Sequence, residues 1–423
     1  MFKIHGGVNL PDNKKHSRYF KIEPIPAPKQ LFIPLLQGTK NPAKPIVSVG
    51  DNVLQNQKIA EADGEFSANI HSPVSGTVEK IALHVHPNGL ASSCIFIKND
   101  FKENKIQSPP KEENIGFYEL IAAIHEAGID IGNEKIPDNI KIRNIIINGC
   151  ESEDFLTAAH RQMLESPEKI IFGAYTVSQT VSAEKIYIAI ENNKKDAIET
   201  LKQYTKQIPN IEIVSLPTKY PNDDEKQLVY ALTGTMIPEK KQPSDFGYLV
   251  FDIDTVAAIS DCIAEGLPFH HRIITVAGSG FSHAQNYKVP IGTPLSHIIE
   301  THGGFTKTPN RLILGGPMRG LAQMSMEVPI IKTTTAVLSL SGADVQKEKE
   351  TYCIRCGRCV DGCPTKLRPI NLANAAKNND FLSLKNENIS DCIHCGACSY
   401  ICPAKIHLLQ WIKTGEQLLE TEN

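Results

Sequence analysis

The chain has 423 residues, enough for about three domains. Its hydrophobic content of 41% and charged content of 22% are those of an ordinary globular protein. A formal net charge of -3 gives no ground for a nucleic-acid partner or an anionic lipid surface, and no run approaches the ~18 apolar residues of a membrane-spanning helix.

No basic–apolar–small pattern opens the chain, so no secretory leader is expected. Residues 1–45 read as an extended arm, with Gly6 and Gly7 at its start and Pro11, Pro24, Pro26, Pro28, Pro34, Pro42 and Pro45 along it. Short β segments follow over 46–100, one entered at 47–51 through a Gly50-Asp51 turn and another at 72–78. This stretch resembles the barrel-sandwich hybrid of biotinyl and lipoyl domains. Those domains carry a modifiable lysine at a hairpin tip. Here Glu61-Ala62-Asp63-Gly64-Glu65 stands in that place without a lysine, so the module reads as a structural or docking domain, not a carrier. Residues 100–114 are charged and proline-rich, a linker.

Beyond the linker strand and helix alternate. Helices are expected over 115–127, 156–164, 194–206 and 225–232, and strands over 143–147, 186–190 and 211–215. This spacing implies an α/β domain over 115–265 with a largely parallel sheet. Ligands of such sheets bind outside the carboxyl ends of the strands, which places 148–154 and 216–225 at the site-bearing edge. Residues 270–330 form a small β-grasp-like unit: strand 272–277, helix 294–301, and strand 311–314 leading to Gly315-Gly316-Pro317-Met318. The glycine pair could admit a phosphate, but a lone pair is first a turn. Residues 331–345 read as the lead into a last domain, 345–423.

That domain holds eight of the eleven cysteines, which indicates a reducing compartment. Cys353, Cys356, Cys359 and Cys363 precede Pro364; Cys392, Cys395, Cys398 and Cys402 precede Pro403. Both runs match the C-x2-C-x2-C-x3-C-P pattern of two-cluster ferredoxins, in which the fourth cysteine ligates the other cluster. The match implies one [4Fe–4S] cluster on Cys353, Cys356, Cys359 and Cys402, and a second on Cys392, Cys395, Cys398 and Cys363. Zinc is the competing reading of C-x2-C pairs, but two copies of a four-ligand run, each closed by proline, disfavour it. Arg355, Arg358 and His394 would place charge beside the clusters or simply face solvent. Two short helices, over 370–377 and 381–385, separate the runs, and Ile406, Leu408, Leu409, Ile412 and Leu419 fit one face of a helix after them. The module is thus a mostly helical ferredoxin, and two adjacent clusters serve to move single electrons. Cys94, Cys150 and Cys262 read as small buried side chains.

The order of these parts resembles the RnfC family, the C subunits of Rnf electron-transport complexes, over essentially the whole chain. The likeness rests on Gly6-Gly7 with Pro11 and Ser17; on Lys219-Tyr220-Pro221 with Glu225-Lys226-Gln227-Leu228 and Ala231-Leu232-Thr233-Gly234; on Asn286-Tyr287 with Val289-Pro290-Ile291-Gly292-Thr293-Pro294; and on Gly315-Gly316-Pro317-Met318. The resemblance implies an α/β domain related to the NADH- and FMN-binding subunit of respiratory complex I, then a ligand-binding β-grasp (SLBB) unit, then the two-cluster ferredoxin. It implies a peripheral subunit on the cytoplasmic face of the inner membrane, assembled with membrane subunits of an Rnf-type complex that couples NADH–ferredoxin electron exchange to ion movement. Candidate flavin or nucleotide contacts are Glu151, Glu153, Lys219, Glu225 and Lys226.

Two departures shape the expectation. The family's glycine-rich flavin loop is replaced here by Ile129-Asp130-Ile131-Gly132-Asn133-Glu134-Lys135-Ile136-Pro137. The family's Asn-Gly-Ala-Glu-Cys-Glu-Pro-Tyr stretch becomes Asn148-Gly149-Cys150-Glu151-Ser152-Glu153-Asp154-Phe155. Glu151 and Glu153 would meet a ribose or a flavin edge, or act equally as solvated or helix-capping acids. Without the bare backbone of the glycine loop, FMN binding is expected to be weak or absent, with little direct NADH oxidation. Electrons would then enter from another protein, a flavoprotein or a ferredoxin. Two other readings stand beside this one: a non-enzymatic docking scaffold that holds the electron wire, and a cobalamin reductase of similar architecture.

Overall fold

A computed structural model describes residues 4–38, 41–64, 66–111, 115–131, 140–238, 241–345 and 349–422. The replacement for the glycine loop at 132–137, and Glu65 of the barrel-sandwich tip, lie outside the described residues.

The barrel-sandwich part contains β2 (Gln30–Pro34), β3 (Lys44–Pro45), β4 (Asn52–Val53), β5 (Lys58–Glu61), β6 (Ile70–His71), β7 (Gly76–Val85) and β8 (Ala91–Asn99), preceded by a short β1 (Glu23–Pro24). One sheet has the order β2-β8-β7-β4 and the other β3-β5-β6. Alternation decides which side chains fill the barrel. Leu31, Ile33, Ile95 and Ile97 point into its core, whereas Phe32 and Phe96 face out and pack ring to ring at 5.1 Å. The end of the N-terminal arm is therefore a barrel strand, paired antiparallel with β8.

The α/β domain runs α1 (Phe117–Glu126), β9 (Asn144–Asn148), α2 (Ala158–Glu165), α3 (Pro167–Thr180), β10 (Lys185–Glu191), α4 (Lys195–Thr205), β11 (Ile211–Leu216), α5 (Glu225–Thr233), β12 (Tyr248–Asp252) and α6 (Ile253–Glu265). Its four strands are parallel in the order β11-β10-β9-β12. Ile145 and Ile147 of β9 enter a core with α1, α2, α3, α4 and α6, while Ile146 enters a second core with α5 and Ile4 of the arm. A strand covered on both faces reads as an unbroken apolar run, as Ile145-Ile146-Ile147 does.

The β-grasp part contains β13 (His271–Ala277), β14 (Gln285–Pro290), α7 (Leu295–Thr301), β15 (Arg311–Leu314), β16 (Leu321–Ala322) and β17 (Ala336–Leu340). They form one sheet with the arm's strand, in the order β1-β14-β13-β17-β15-β16. The segment 331–345 is thus more than a connector: β17 is an internal, fully buried strand, parallel to β13 and antiparallel to β15.

The C-terminal part is helical: α8 (Arg358–Asp361), α9 (Pro369–Lys377), α10 (Phe381–Asn386), α11 (Ala397–Tyr400) and α12 (Leu408–Glu422). Leu372, Ala376, Leu384, Ile389, Leu408 and Ile412 make its core. The arm fastens this part to the rest. Gly7 N donates to Gly362 O at 2.9 Å, and Val8 pairs antiparallel with Tyr220. Gly6, at φ +51°, passes so close to Cys363 that a Cβ would lie 2.5 Å from its carbonyl oxygen.

Candidate redox site

The two cysteine runs fold as near-copies. Arg355 and His394 both have positive φ (55° and 52°), Gly357 and Gly396 follow in the same region (76° and 72°), and Lys366 and Lys405 repeat it (60° and 56°). These turns curl each loop so that its first three cysteines line one cavity, and the helices α8 and α11 then carry the chain away. One cavity is lined by Cys353, Cys356, Cys359 and Cys402; a neighbouring smaller one is lined by Cys363, Cys392, Cys395 and Cys398. Each cavity thus gathers three cysteines of one run and the fourth of the other.

Their surroundings differ. Cys353 and Cys356 are exposed, beside Tyr352 and Ile354, which are 95% and 69% exposed. Cys363, Cys395 and Cys398 are buried. Burial pushes the Cys392 and Cys398 thiols up to about 12 and the Cys395 thiol up to about 11. An all-thiol donor set of this kind becomes thiolate only when metal takes the place of the protons. Backbone amides already point at sulfur, Arg355 N to Cys353 Sγ at 3.4 Å and Leu367 N to Cys363 Sγ at 3.3 Å. His394 is turned to Glu416, with Nε2 and the carboxylate 2.6 Å apart.

A third cavity, of about 600 Å³, opens at the carboxyl edge of β9 and β12, where the α/β, barrel-sandwich and β-grasp parts meet. Glu151, Glu153, Asp223, Asp252, Asp254, Arg272 and Arg319 supply its charge. Glu151 is a helix cap: its carboxylate accepts from Ala159 N and His160 N at the start of α2, at 2.9 and 3.1 Å. Glu153 accepts from Met318 N at 2.7 Å and Arg319 N at 3.3 Å, so it fills the space that the missing side chain of Gly316 leaves open. Asp154 holds Asn13 of the arm through both carboxylate oxygens.

The two arginines are already paired. Arg272 meets Asp254, and Arg319 meets Asp223, each at 2.9 Å. Asp252 faces the cavity, where enclosure by protein pushes its carboxyl up. Beneath the floor lies an ion pair, Lys194 Nζ to Glu191 Oε2 at 2.5 Å, with Lys14 of the arm donating to the Glu151 carbonyl. Mutual attraction outweighs burial here, holding the Lys194 ammonium above and the Glu191 carboxyl below their ordinary ranges.

Of the five residues read from sequence as flavin or nucleotide contacts, Glu151 and Glu153 line this cavity and Lys219, Glu225 and Lys226 do not. Lys219 lies beside Gly7 of the arm, and Lys226 Nζ reaches Pro238 O at 3.1 Å. Burial pushes Glu225, at the start of α5, up to about 7, with Asp252 and Asp224 adding to the rise. Asp223 falls within the edge segment read from sequence. Asp252 and Asp254 were missed because β12 was missed; once that strand is known, the carboxyl-edge rule finds both.

Tyr220 connects this cavity to the cysteines. It is 1% exposed, its hydroxyl donates to Cys395 O at 2.6 Å, and the Arg319 guanidinium lies 5.2 Å from its ring centre.

Family models match along the chain in the same order: RnfC barrel sandwich hybrid domain over residues 2–102, Nuo51 FMN-binding domain over 133–261, SLBB domain over 273–322 and 4Fe-4S dicluster domain over 352–406. The C subunit of the proton-translocating ferredoxin:NAD(+) oxidoreductase complex of Clostridium ljungdahlii is 37% identical over 396 residues, covering 91% of this chain and 86% of that protein. The chain belongs to the RnfC family. The C subunit of the ion-translocating oxidoreductase complex of Rhodobacter capsulatus is 37% identical over 385 residues, or 88% of this chain and 74% of that one. The corresponding subunit of the Na(+)-translocating ferredoxin:NAD(+) oxidoreductase complex of Acetobacterium woodii is 32% identical over 398 residues, or 91% and 90%. A chain of the NAD+-reducing [NiFe]-hydrogenase shares the fold over 72% of this chain and 63% of its own length, with a TM-score of 0.50 at 13% identity.

As a member of the RnfC family the chain carries a 4Fe-4S dicluster domain, and its eight thiols, grouped four to a cavity, fit such clusters. The cavity at the sheet edge fits FMN poorly. Among the described residues its lining carries five carboxylates, two of which, Asp254 and Asp223, neutralise its two guanidiniums, and Glu153 covers the bare backbone at Gly316, so no unpaired guanidinium or ammonium is offered to a phosphate.

Proposed function

We propose that this chain is the peripheral iron–sulfur electron-transfer subunit of an Rnf-type complex that couples electron exchange between ferredoxin and NAD to ion translocation, held at the cytoplasmic face of the inner membrane by the complex's membrane subunits. The observation that carries the proposal is the exchange of the fourth cysteine between adjacent cavities. It supports one [4Fe–4S] cluster on Cys353, Cys356, Cys359 and Cys402 and another on Cys392, Cys395, Cys398 and Cys363. Among the described residues no helix is long and apolar enough to cross a membrane.

When bound, the clusters supply one-electron chemistry. The rest falls to the chain. Gly357 and Gly396 line the two cysteine cavities, so bare backbone would face a cluster in each. The exposed loop around Cys353 and Cys356 leaves one cluster open to a partner. The arm, through Gly6 and Gly7, holds the other against the α/β domain. The acidic cavity supports the reading that FMN binds weakly and that electrons reach the clusters from a partner protein, a flavoprotein or a ferredoxin, and not from NADH on this chain.

The test is anaerobic purification followed by iron, sulfide and flavin analysis. About eight iron and eight acid-labile sulfide per chain are expected, with little FMN retained after reconstitution and slow bleaching of the clusters by NADH. Stoichiometric zinc without sulfide would end the cluster assignment. Stoichiometric FMN with fast bleaching would end the weak-flavin reading and leave the clusters standing.

A further inference from the structure

A continuous set of side chains leads from the sheet-edge cavity to the inner cysteine site. Asp223 lines the cavity, and its Oδ2 meets Arg319 Nη1 at 2.9 Å. Its Oδ1 is buried and has no hydrogen-bond partner among the described residues. Arg319 leaves Asp223 and lies over the ring of Tyr220. Tyr220 is fixed from both sides, by its backbone pairing with Val8 and by its hydroxyl on Cys395 O. Met318, beside Arg319, is held by Glu153 and lies against Gly396, next to Cys395.

We infer that Arg319 and Tyr220 are positioning residues that set the reduction potential of the cluster on Cys363, Cys392, Cys395 and Cys398, and make that potential respond to charge in the cavity at Asp223. The inference rests on the cluster assignment proposed above. Reduction adds one negative charge to the cluster, so a nearby guanidinium favours the reduced form. Tyr220 and Cys395 are buried while the Arg319 side chain is 31% exposed at the cavity, so its charge reaches the inner site partly screened. Asp223 offsets it. A ligand or partner group that draws Arg319 toward the cavity therefore makes the cluster harder to reduce. The Tyr220 hydroxyl adds a smaller effect of the same sign as Arg319, because it compensates the negative end of the Cys395 carbonyl. The other cluster site is beyond this path: its loop lies in water, where the charges of Arg355 and Arg358 are screened.

Electron paramagnetic resonance during a redox titration of the anaerobically purified full chain separates the two clusters. Arg319→Gln should lower the reduced-to-oxidised ratio of the inner cluster by about tenfold at fixed potential, equivalent to ~59 mV for one electron. Asp223→Asn should shift it the opposite way, Tyr220→Phe should give a smaller fall, and Arg319→Lys should recover most of the loss by restoring the charge. The outer cluster should not move in any of them. Opposite signs for Arg319→Gln and Asp223→Asn are the discriminating result, since damage to packing would move both in one direction. If Arg319→Gln does not retain the inner cluster, the upward shift in Asp223→Asn decides alone. Shifts of one sign, equal shifts in both clusters, or none at all overturn the inference while leaving the clusters in place. An unmodified chain with no iron–sulfur signal overturns the cluster assignment itself, and the inference with it.

Discussion

Lys332 joins three parts of the molecule with one ammonium. It is 3% exposed and donates to Asn69 O of the barrel-sandwich part at 2.7 Å and to Gly128 O of the α/β domain at 2.6 Å. Gly128 has φ +68°, and a Cβ there would overlap the Asn69 carbonyl oxygen that Lys332 also holds, so the contact requires glycine. Burial pushes the ammonium down to about 7 from an ordinary 10.5, with Asp130 opposing the fall. His71 and His270 nearby are held uncharged by the same burial, at about 3 and about 4. The sign of the pH effect follows from the direction of the Lys332 shift. Its folded value lies below its unfolded one, so between roughly pH 7 and pH 10 the unfolded chain binds a proton that the folded chain has released, and stability rises with pH across that window. Lys332→Met should remove the rise. The measurement is the apparent melting midpoint of anaerobically purified protein at one scan rate, because unfolding with bound clusters is not two-state. The midpoint of the unmodified chain minus that of Lys332→Met should grow from pH 7 to pH 9.5; a constant difference would show that Lys332 stays charged throughout.

At the scale of elements, the helix pair α3 and α6 shows what the sequence conceals. Gly173 sits mid-helix in α3, and a Cβ there would overlap the Val256 carbonyl oxygen of α6. The two helices pack at backbone distance, with Ile170, Ala174 and Val177 on one side and Val256, Ile259 and Ile263 on the other. Gly173→Val should cost about 1–3 kcal/mol, the usual penalty of overpacking a filled core, read as a lower melting midpoint with unchanged cluster content. Neither helix was legible beforehand, and the reason is local. α3 begins at Pro167, with Ser166 alone between it and α2, and α6 begins at Ile253 directly after β12, so no glycine or polar run separates them. β17 was concealed in another way, since Ala336-Val337-Leu338-Ser339-Leu340 is buried at every position and shows no alternation. The cysteine runs were legible because ligand spacing is a local property. The cavity at the sheet edge was only half legible. Glu151 and Glu153 lie in a segment that the strand-edge rule picks out, but their use as a helix cap and as a clamp on Met318 depends on contacts between distant parts of the chain.

At the scale of the whole molecule, the N-terminal arm decides whether the dicluster part stays in register with the cavity. The arm supplies Gly7 to Gly362, Val8 to Tyr220, Asn13 to Asp154, Lys14 to the Glu151 carbonyl, Ile22 to Glu165 and β1 to β14. It thus crosses the dicluster, α/β and β-grasp parts in one pass. The narrowest point is at its start. Gly6 and Gly7 both have positive φ, and a Cβ on either would lie 2.5 Å from a carbonyl oxygen, that of Cys363 for Gly6 and that of Tyr220 for Gly7. A β-branched residue pays twice at such a position, in backbone strain and in steric overlap, and neither carbonyl is the end of a flexible side chain that could give way. Gly6→Val should therefore push the arm off Cys363 and break the pairing of Val8 with Tyr220, leaving the cores of the separate parts intact. Hydrogen exchange of anaerobically purified protein should show faster exchange at the amides of Gly7, Val8 and Tyr220, by about tenfold for each ~1.4 kcal/mol of opening free energy lost, with the amides of β9 unchanged. Limited proteolysis should cut between the β-grasp and dicluster parts sooner than in the unmodified chain. Unchanged exchange at Tyr220 would mean that the hydrophobic contacts of Tyr220, Cys395 and Ala397 hold the dicluster part in place without the arm.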